Sequence, residues 1–340
     1  MRNKAIIDLN VLRQNALSVK SKLKKGTLFN AVVKADAYGH GGEMVANAIS
    51  DVVDGFSVAI AEEGIKLRQS GVNKPVLCFT PFLKEDVGAA VRYGLTATVC
   101  EFEQVKLLES EAKRQGSNKV KVQIKFNSGM NRQGVDCLKE LNAIARAISD
   151  SRYLYLDGVY SHFAAPDNKK SLKFALDKFL LANNLVKGYN NKAISHVSAS
   201  GGFLNGVQGD MVRIGILLYG YKPFESNYVD VNPVMMVYAP LIKVRALHKG
   251  DTALYGDKRL NAKSDLFLVR YGYADGLFRK EVDGQFNDRC MDLTAYTVDS
   301  SCEQGFAVME NADTLAKKYG TISYEILTKC AVRAEKIYLR

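Results

Sequence analysis

The stretch Leu28-Phe29-Asn30-Ala31-Val32-Val33-Lys34-Ala35-Asp36-Ala37-Tyr38-Gly39-His40-Gly41-Gly42 decides the fold. It opens on a largely apolar, β-branched run of strand length, Leu28 to Val33, passes through a glycine-rich turn, and leads into an amphipathic segment from Gly42 to Val53. Strand, turn and helix make one βα unit. The unit recurs downstream. Further strands are expected at Gly55 to Ala59, Pro75 to Phe79, Thr96 to Cys100, Val120 to Phe126, Leu154 to Tyr160, Ile194 to Val197 and Met211 to Leu218. Helical patterns separate them at Ala61 to Ser70, Glu85 to Tyr93, Glu101 to Gln115, Cys137 to Ser149 and Leu172 to Val186, apolar at three- and four-residue spacing. Eight such strands suggest a (β/α)8 barrel, and the strand count alone leaves an open doubly wound sheet as the alternative.

After about Asn227 the texture changes. Val231 to Leu247, Leu266 to Tyr273, Cys290 to Val298 and Thr321 to Leu327 read as strands, and Asn311 to Tyr319 is the one clear helix among them. The expected organisation is an α/β barrel over residues 9–227 and a mainly β domain over 228–340, with residues 1–8 (Lys4 to Asp8 as a strand before a helix from Val11 to Leu23) able to pair with the second domain.

The 340 residues are 47% hydrophobic and 24% charged, which excludes a disordered tail or a small stapled scaffold. The longest apolar runs fall short of the roughly 18–20 residues of a membrane span, and no continuous apolar stretch follows the N-terminus, so a cytoplasmic protein is expected. Six cysteines, Cys78, Cys100, Cys137, Cys290, Cys302 and Cys330, are scattered without metal-ligand spacing, so no metal is expected. The net charge of +11 could indicate nucleic acid. The lysines are dispersed, however, and the cluster Lys20, Lys22, Lys24 and Lys25 has no interleaved aromatic, so a nucleic-acid partner is not expected.

In a βα barrel the chemistry sits at the carboxyl ends of the strands. There the sequence places Lys34, Lys125 to Arg132, Ser161-His162, His196 to Ser200 and Arg213, a set of nitrogens suited to an anionic ligand. A lysine directly after a buried strand is costly if charged and dry; it is paired at the rim or kept neutral for covalent work. Tyr38, His40 and three glycines within eight residues of Lys34 favour the second use, because such a turn brings backbone donors close to an oxyanion.

Ala31 to Gly41 resembles the pyridoxal 5'-phosphate lysine motif of the alanine racemases, and Phe126 to Val135, Ser161 to Ala164, Asp210 to Gly220, Gly272 to Gly276 and Cys290 to Asp292 resemble that family's other blocks in the family's order. The resemblance runs almost from end to end and implies an eight-stranded barrel with a C-terminal β domain. It implies pyridoxal 5'-phosphate as cofactor, bound through Lys34, whose amine can hold a carbonyl exchangeably and then serve as a base on one face of the substrate Cα. The second base it implies is Tyr255, in Gly250-Asp251-Thr252-Ala253-Leu254-Tyr255-Gly256, contributed across a homodimer interface to a shared active site.

By the same resemblance Arg213 meets the pyridine nitrogen, His162 supports Arg213, and Arg132 lies near the phenolic oxygen and the substrate carboxylate. Lys125 falls where family members often carry a carbamylated lysine. Tyr38, Ser200, the Gly215 and Ile216 backbone, and Tyr324 match the phosphate anchors. Met291, Asp292 and Tyr273 match residues of the substrate entrance, with packing a comparable role for Met291 and Tyr273. The chain departs from the family at Asn127-Ser128, where Asp-Thr is usual, and at Ala199, where Asn usually precedes the phosphate serine. The resemblance implies alanine racemisation supplying D-alanine for peptidoglycan. A broader serine or lysine racemase and a non-catalytic pyridoxal-phosphate carrier are the alternatives; the absence of an export signal and the presence of Tyr255 weigh against them.

Overall fold

The computed structural model describes residues 2–117, 119–252, 259–279, 288–298 and 306–340. Tyr255 and Cys302 lie outside the described residues. The chain opens with strand β1 (Lys4–Asp8) and the helix Leu9–Ser21. Eight strands follow: β2 (Leu28–Val32), β3 (Gly55–Val58), β4 (Val76–Cys78), β5 (Ala97–Val99), β6 (Val120–Lys125), β7 (Leu154–Tyr160), β8 (Ile194–His196) and β9 (Met211–Ile214). Neighbours pair in parallel as β4-β3-β2-β9 and β5-β6-β7-β8. Parallel bridges Leu77 to Thr96 and Ala199 to Arg213 join the two sets at both seams. The sheet therefore closes on itself as a (β/α)8 barrel, and the open sheet is excluded.

Patterning explains the layers. The helix Leu138–Asp150 buries Leu141, Ile144, Ala145 and Ile148, one face at helical spacing, each large side chain contributing about 1.5–3 kcal/mol on transfer from water. Strand β6 alternates two kinds of residue. Val120, Val122 and Ile124 are apolar, while Lys121, Gln123 and Lys125 share the opposite face. Between Val122 and Gln123 the register with β7 shifts, a bulge that sets Asp157 beside Gln123.

Two compact units result. One comprises residues 12–37 and 42–232; the other comprises 1–11, 38–41 and 233–340. In the second, β1 lies between β10 (Met235–Ala239), antiparallel, and β16 (Glu335–Leu339), parallel. A second sheet runs β11 (Leu241–Leu247), β12 (Ser264–Val269), β14 (Thr294–Val298) and β13 (Asp288–Arg289), and β15 (Phe306–Met309) pairs with β10. Leu247, Leu260, Leu266 and Ala295 form a core in this unit.

Several expected elements differ. Pro240 cannot donate to a ladder, so the run Val231 to Leu247 divides into β10 and β11, in separate sheets. The strand expected to reach Leu218 stops at Ile214, and a 3-10 helix Ile216–Tyr219 follows Gly215. Thr321 to Leu327, expected as a strand, is the helix Ser323–Cys330: Ser323, Ile326, Leu327 and Cys330 are buried at helical spacing, while Ile322 is 61% exposed. The period-two alternation of Ile322, Tyr324 and Ile326 is thus incidental.

Candidate active site

Lys34 is set by an unusual turn. Val33 donates its N–H to Ser57 at 2.9 Å, extending the β2 register, and Lys34 is half-buried just beyond. Ala35, Asp36, Ala37 and Tyr38 then take φ of 52–54°, a left-handed run in which each L-residue costs roughly 1–2 kcal/mol. Three contacts offset this cost. Glu63, in the first turn of the helix Ala61–Gln69, accepts Ala35 N–H at 2.6 Å on one oxygen and Ala59 N–H at 2.7 Å on the other. Asp36 accepts Gly42 N–H at 2.7 Å, and Ala37 N–H donates to Val33 at 2.9 Å. Burial and the Arg132 charge hold the Lys34 amine below the usual lysine range, with Glu63 opposing them.

Arg213 on β9 is 3% exposed. Its Nη1 donates to His196 Nδ1 at 2.5 Å and to His196 O at 3.0 Å. Its Nη2 donates to Ser161 O at 2.6 Å, Val197 O at 3.2 Å and His162 Nδ1 at 3.4 Å. These five bonds use only the terminal nitrogens, so Nε–H donates to no protein acceptor among the described residues. The Tyr160 ring stacks on His196 at 4.9 Å and lies 5.3 Å from the guanidinium carbon. Burial pulls Arg213 down to about 10, within the cationic range at neutral pH. Burial and the Arg213 charge lower His162 to about 3 and hold His196 well below the usual histidine range, so both rings are neutral acceptors toward the guanidinium.

Lys125, at the end of β6, donates to Gln133 at 2.8 Å and lies 5.7 Å from the Tyr160 ring centre. Burial, then Arg132, brings its amine down to about 8. With Arg132, Gln133, Ser161 and His162 it lines a cleft at the barrel mouth. The loop beneath explains one departure from the family pattern. Asn127 Oδ1 accepts Gly129 and Asn131 N–H at 3.1 and 3.0 Å, while its amide donates to Asn131 Oδ1 at 2.9 Å and Asp136 Oδ1 at 2.7 Å. An aspartate could accept the first pair but could not donate the second. Ser128 keeps a hydroxyl bond to Ser161 at 2.7 Å.

Ser200 heads the short helix Ser200–Leu204 and accepts Gly215 N–H at 3.3 Å, beside the start of the helix Ile216–Tyr219; Ala199 supplies no side-chain cap. Within the second unit, the rings of Tyr38 and Tyr324 lie 5.9 Å apart. Burial raises both phenols, Tyr324 to about 12, so both hydroxyls keep their protons at neutral pH. Asp292 pairs with Arg333 at 2.8 Å, and Tyr273 and Met291 are 40% and 54% exposed. Gly272 permits Ala274 N–H to reach Met291 O at 2.9 Å, since a Cβ there would overlap that carbonyl.

The barrel unit thus brings Lys34, Lys125, Arg132, His162 and Arg213 within one electrostatic field, as the shared influences on Lys125 and His162 show. Four residues that hold these side chains were given no role from sequence: Glu63, Gln123, Tyr160 and His196. Tyr160 and His196 each carried a signal, a place at the end of a strand.

A closed barrel with a lysine beyond its first strand and a buried arginine on its last, followed by a β unit, defines a class of barrel enzyme. Models of the alanine racemase N-terminal and C-terminal domains match residues 7–223 and 234–338. An alanine racemase of Streptococcus equi subsp. equi is 31% identical over 98% of this chain and 97% of its own, and one of Streptococcus pyogenes serotype M2 is 30% identical over the same shares. Among solved structures, the alanine racemase of Clostridium difficile 630 is similar with a TM-score of 0.92 and 28% identity, covering 100% of this chain and 96% of that one. The alanine racemase from Bacillus anthracis with bound L-Ala-P gives a TM-score of 0.91 and 26% identity, covering 100% and 95%. The chain belongs to the alanine racemase family.

Proposed function

We propose that this chain interconverts L-alanine and D-alanine with pyridoxal 5'-phosphate held at Lys34. The observation that carries the reading is the weakened basicity of a half-buried Lys34 amine in the same mouth as a fully buried arginine with one donor to spare. The donor set fits the cofactor. Lys34 supplies the amine for its carbonyl, and Arg213 Nε–H suits a ring nitrogen. The hydroxyls of Tyr38, Ser200 and Tyr324, with the Gly215 and Ile216 backbone, suit its phosphate.

When bound, the cofactor draws electron density from the substrate Cα and acidifies its proton. Lys34 takes or returns that proton on one face. Tyr255 of the partner subunit does so on the other, which makes the homodimer the catalytic unit. Arg132 binds the substrate carboxylate, and its fork geometry favours a bidentate pair. Arg213 donates a hydrogen bond without surrendering a proton, which keeps the ring a weaker electron sink and disfavours transamination. His162 supports Arg213, and carbamylation would make Lys125 an anion able to orient Arg132.

The bulk of Tyr273, Tyr324 and Met291, with Asp292 beside them in sequence, favours alanine over serine or lysine. The reaction serves D-alanine supply for peptidoglycan in the cytoplasm; no helix among the described residues is long and apolar enough to cross a membrane.

The test is exchange of the L-alanine Cα proton for solvent deuterium with chiral analysis of the product. The parent protein yields D-alanine, Lys34→Ala yields none, and Tyr255→Phe loses at least about a hundredfold, within the range for removing a general acid or base. Cofactor absorbance without exchange on alanine, serine or lysine would leave a carrier protein instead.

A further inference from the structure

The bonds around Arg213 run in one direction, and the direction is set from well beneath the site. Arginine has only donors, so His196 Nδ1, 2.5 Å from Arg213 Nη1, must be bare. A neutral imidazole then carries its proton on Nε2. That nitrogen lies 2.7 Å from Gln123 Oε1, an acceptor. Gln123 in turn points Nε2 at Asp157 Oδ2, 2.8 Å away. The opposite amide orientation would set Oε1 against a carboxylate and present an NH2 to His196. That presentation demands a bare Nε2 and a proton on Nδ1, facing the guanidinium donor. The bond to Asp157 at one end and the guanidinium, through His196, at the other both hold the amide in this orientation.

Gln123, Asp157 and His196 are 3%, 7% and 0% exposed, so water does not scramble the chain. Lys121, 3.3 Å from Asp157 Oδ1 and 52% exposed in its side chain, holds the far end from the solvent side. The bulge between β6 and β7 brings Asp157 beside Gln123. All donation runs outward, from Arg213 through His196 and Gln123 to Asp157, so the carboxylate's charge is relayed as partial negative charge on the nitrogen that faces the guanidinium.

We propose that Gln123 and Asp157 are positioning residues that lock His196 in the tautomer with a bare Nδ1 and thereby fix the orientation of the Arg213 guanidinium at the barrel mouth. The inference rests on the proposed reading in one respect: Arg213 is taken to present its remaining donor to the cofactor's ring nitrogen.

The experiment is imidazole 15N spectroscopy on histidine-labelled holoenzyme loaded with pyridoxal 5'-phosphate, in which the chain's four histidines give few signals, combined with steady-state racemisation and transamination assays. His40→Gln, His162→Gln and His248→Gln spectra assign His196 by elimination. In the parent, His196 shows a protonated Nε2 and a bare Nδ1 from pH 5 to 9. Asp157→Asn keeps an acceptor oxygen for the Gln123 amide and preserves both the spectrum and kcat, within about threefold. Asp157→Leu and Gln123→Met mix or reverse the tautomers, lower kcat by at least about tenfold with a smaller change in KM, and raise the share of turnovers ending in transamination, as expected for loss of an outer-layer partner. An Nδ1-protonated or doubly protonated His196 in the parent at pH 7 overturns the inference. So does an unchanged spectrum and kcat in a folded Asp157→Leu. The spectra report the tautomer whether or not alanine is racemised, so an inactive parent would defeat the proposed function separately.

Discussion

At the scale of the residue, Lys125 exposes the conflict between stability and function. Its amine titrates near 8 in the fold against 10.5 in the open chain, because burial and Arg132 disfavour the cation. Between those values the unfolded chain binds more protons than the folded one, so this group makes stability rise with pH there; below about 8 both states are charged and the fold carries the full cost. Lys125→Met should therefore stabilise the fold at pH 7 by roughly 1–2 kcal/mol after solvent screening through the cleft, read as a higher melting temperature, with the gain gone above pH 10.5. Thermal melts across pH 6–11 check this; a gain that persisted at pH 11 would assign it to packing. Asn127 argues the other way. Asn127→Asp, the usual residue of the family at this position, removes two donors here and sets a carboxylate against Asp136. It should cost about 1–2 kcal/mol and loosen the loop carrying Arg132, read as a lower melting temperature and a raised KM for alanine. The cationic side chains at the strand ends were legible because charge after an apolar run is locally visible. The link between Gln123 and His196 was not, since it spans 73 positions and sits beside a bulge that no periodicity announces.

At the scale of the element, strands were legible where their residues are apolar on both faces, as at Ala31 to Val33, and ambiguous where alternation and helical spacing overlap, as at Ile322 to Cys330. The glycines after Lys34 marked a turn beyond β2, but its left-handed course was hidden. Lys34, Ala35 and Ala37 are good helix formers, so the propensities favour a right-handed helix here. The contacts that hold the handedness include one from outside the turn, the carboxylate of Glu63 bridging Ala35 and Ala59. Glu63→Ala should remove three charge-assisted bonds, from Ala35, Ala59 and Ile60, cost about 2–4 kcal/mol, and leave Lys34 less basic, since the Glu63 charge is what raises that amine. Ala35→Gly, at an exposed position with φ of 52°, should instead stabilise by about 0.5–1 kcal/mol while lowering kcat through a looser lysine. Denaturant melts on both variants, with and without pyridoxal 5'-phosphate, separate backbone relief from cofactor linkage. Opposite signs are expected, and a destabilised Ala35→Gly would mean the turn is not strained.

At the scale of the whole molecule, the barrel brings one proposed base to its mouth, and the family pattern assigns the other to a tyrosine of a second copy. A proton must be removed from one face of a planar centre and delivered to the other, and a single flexible lysine serving both faces would have to pass around the substrate. That geometric demand separates two arrangements by a mixing experiment. In a dimer built from one Lys34→Ala chain and one Tyr255→Phe chain, a site shared between subunits pairs the mutant lysine with the mutant tyrosine in one position and the intact lysine with the intact tyrosine in the other. Random reassociation of equal amounts makes half the dimers mixed, each with one working site of two, so about a quarter of parental activity should return from two inactive proteins. If each site drew both residues from its own chain, every site in every dimer would hold one damaged base, and mixing would restore nothing. Recovery that rises with the time allowed for subunit exchange, and that is absent when the two proteins are assayed at once on mixing, would tie the returned activity to assembly rather than to contamination by parent enzyme.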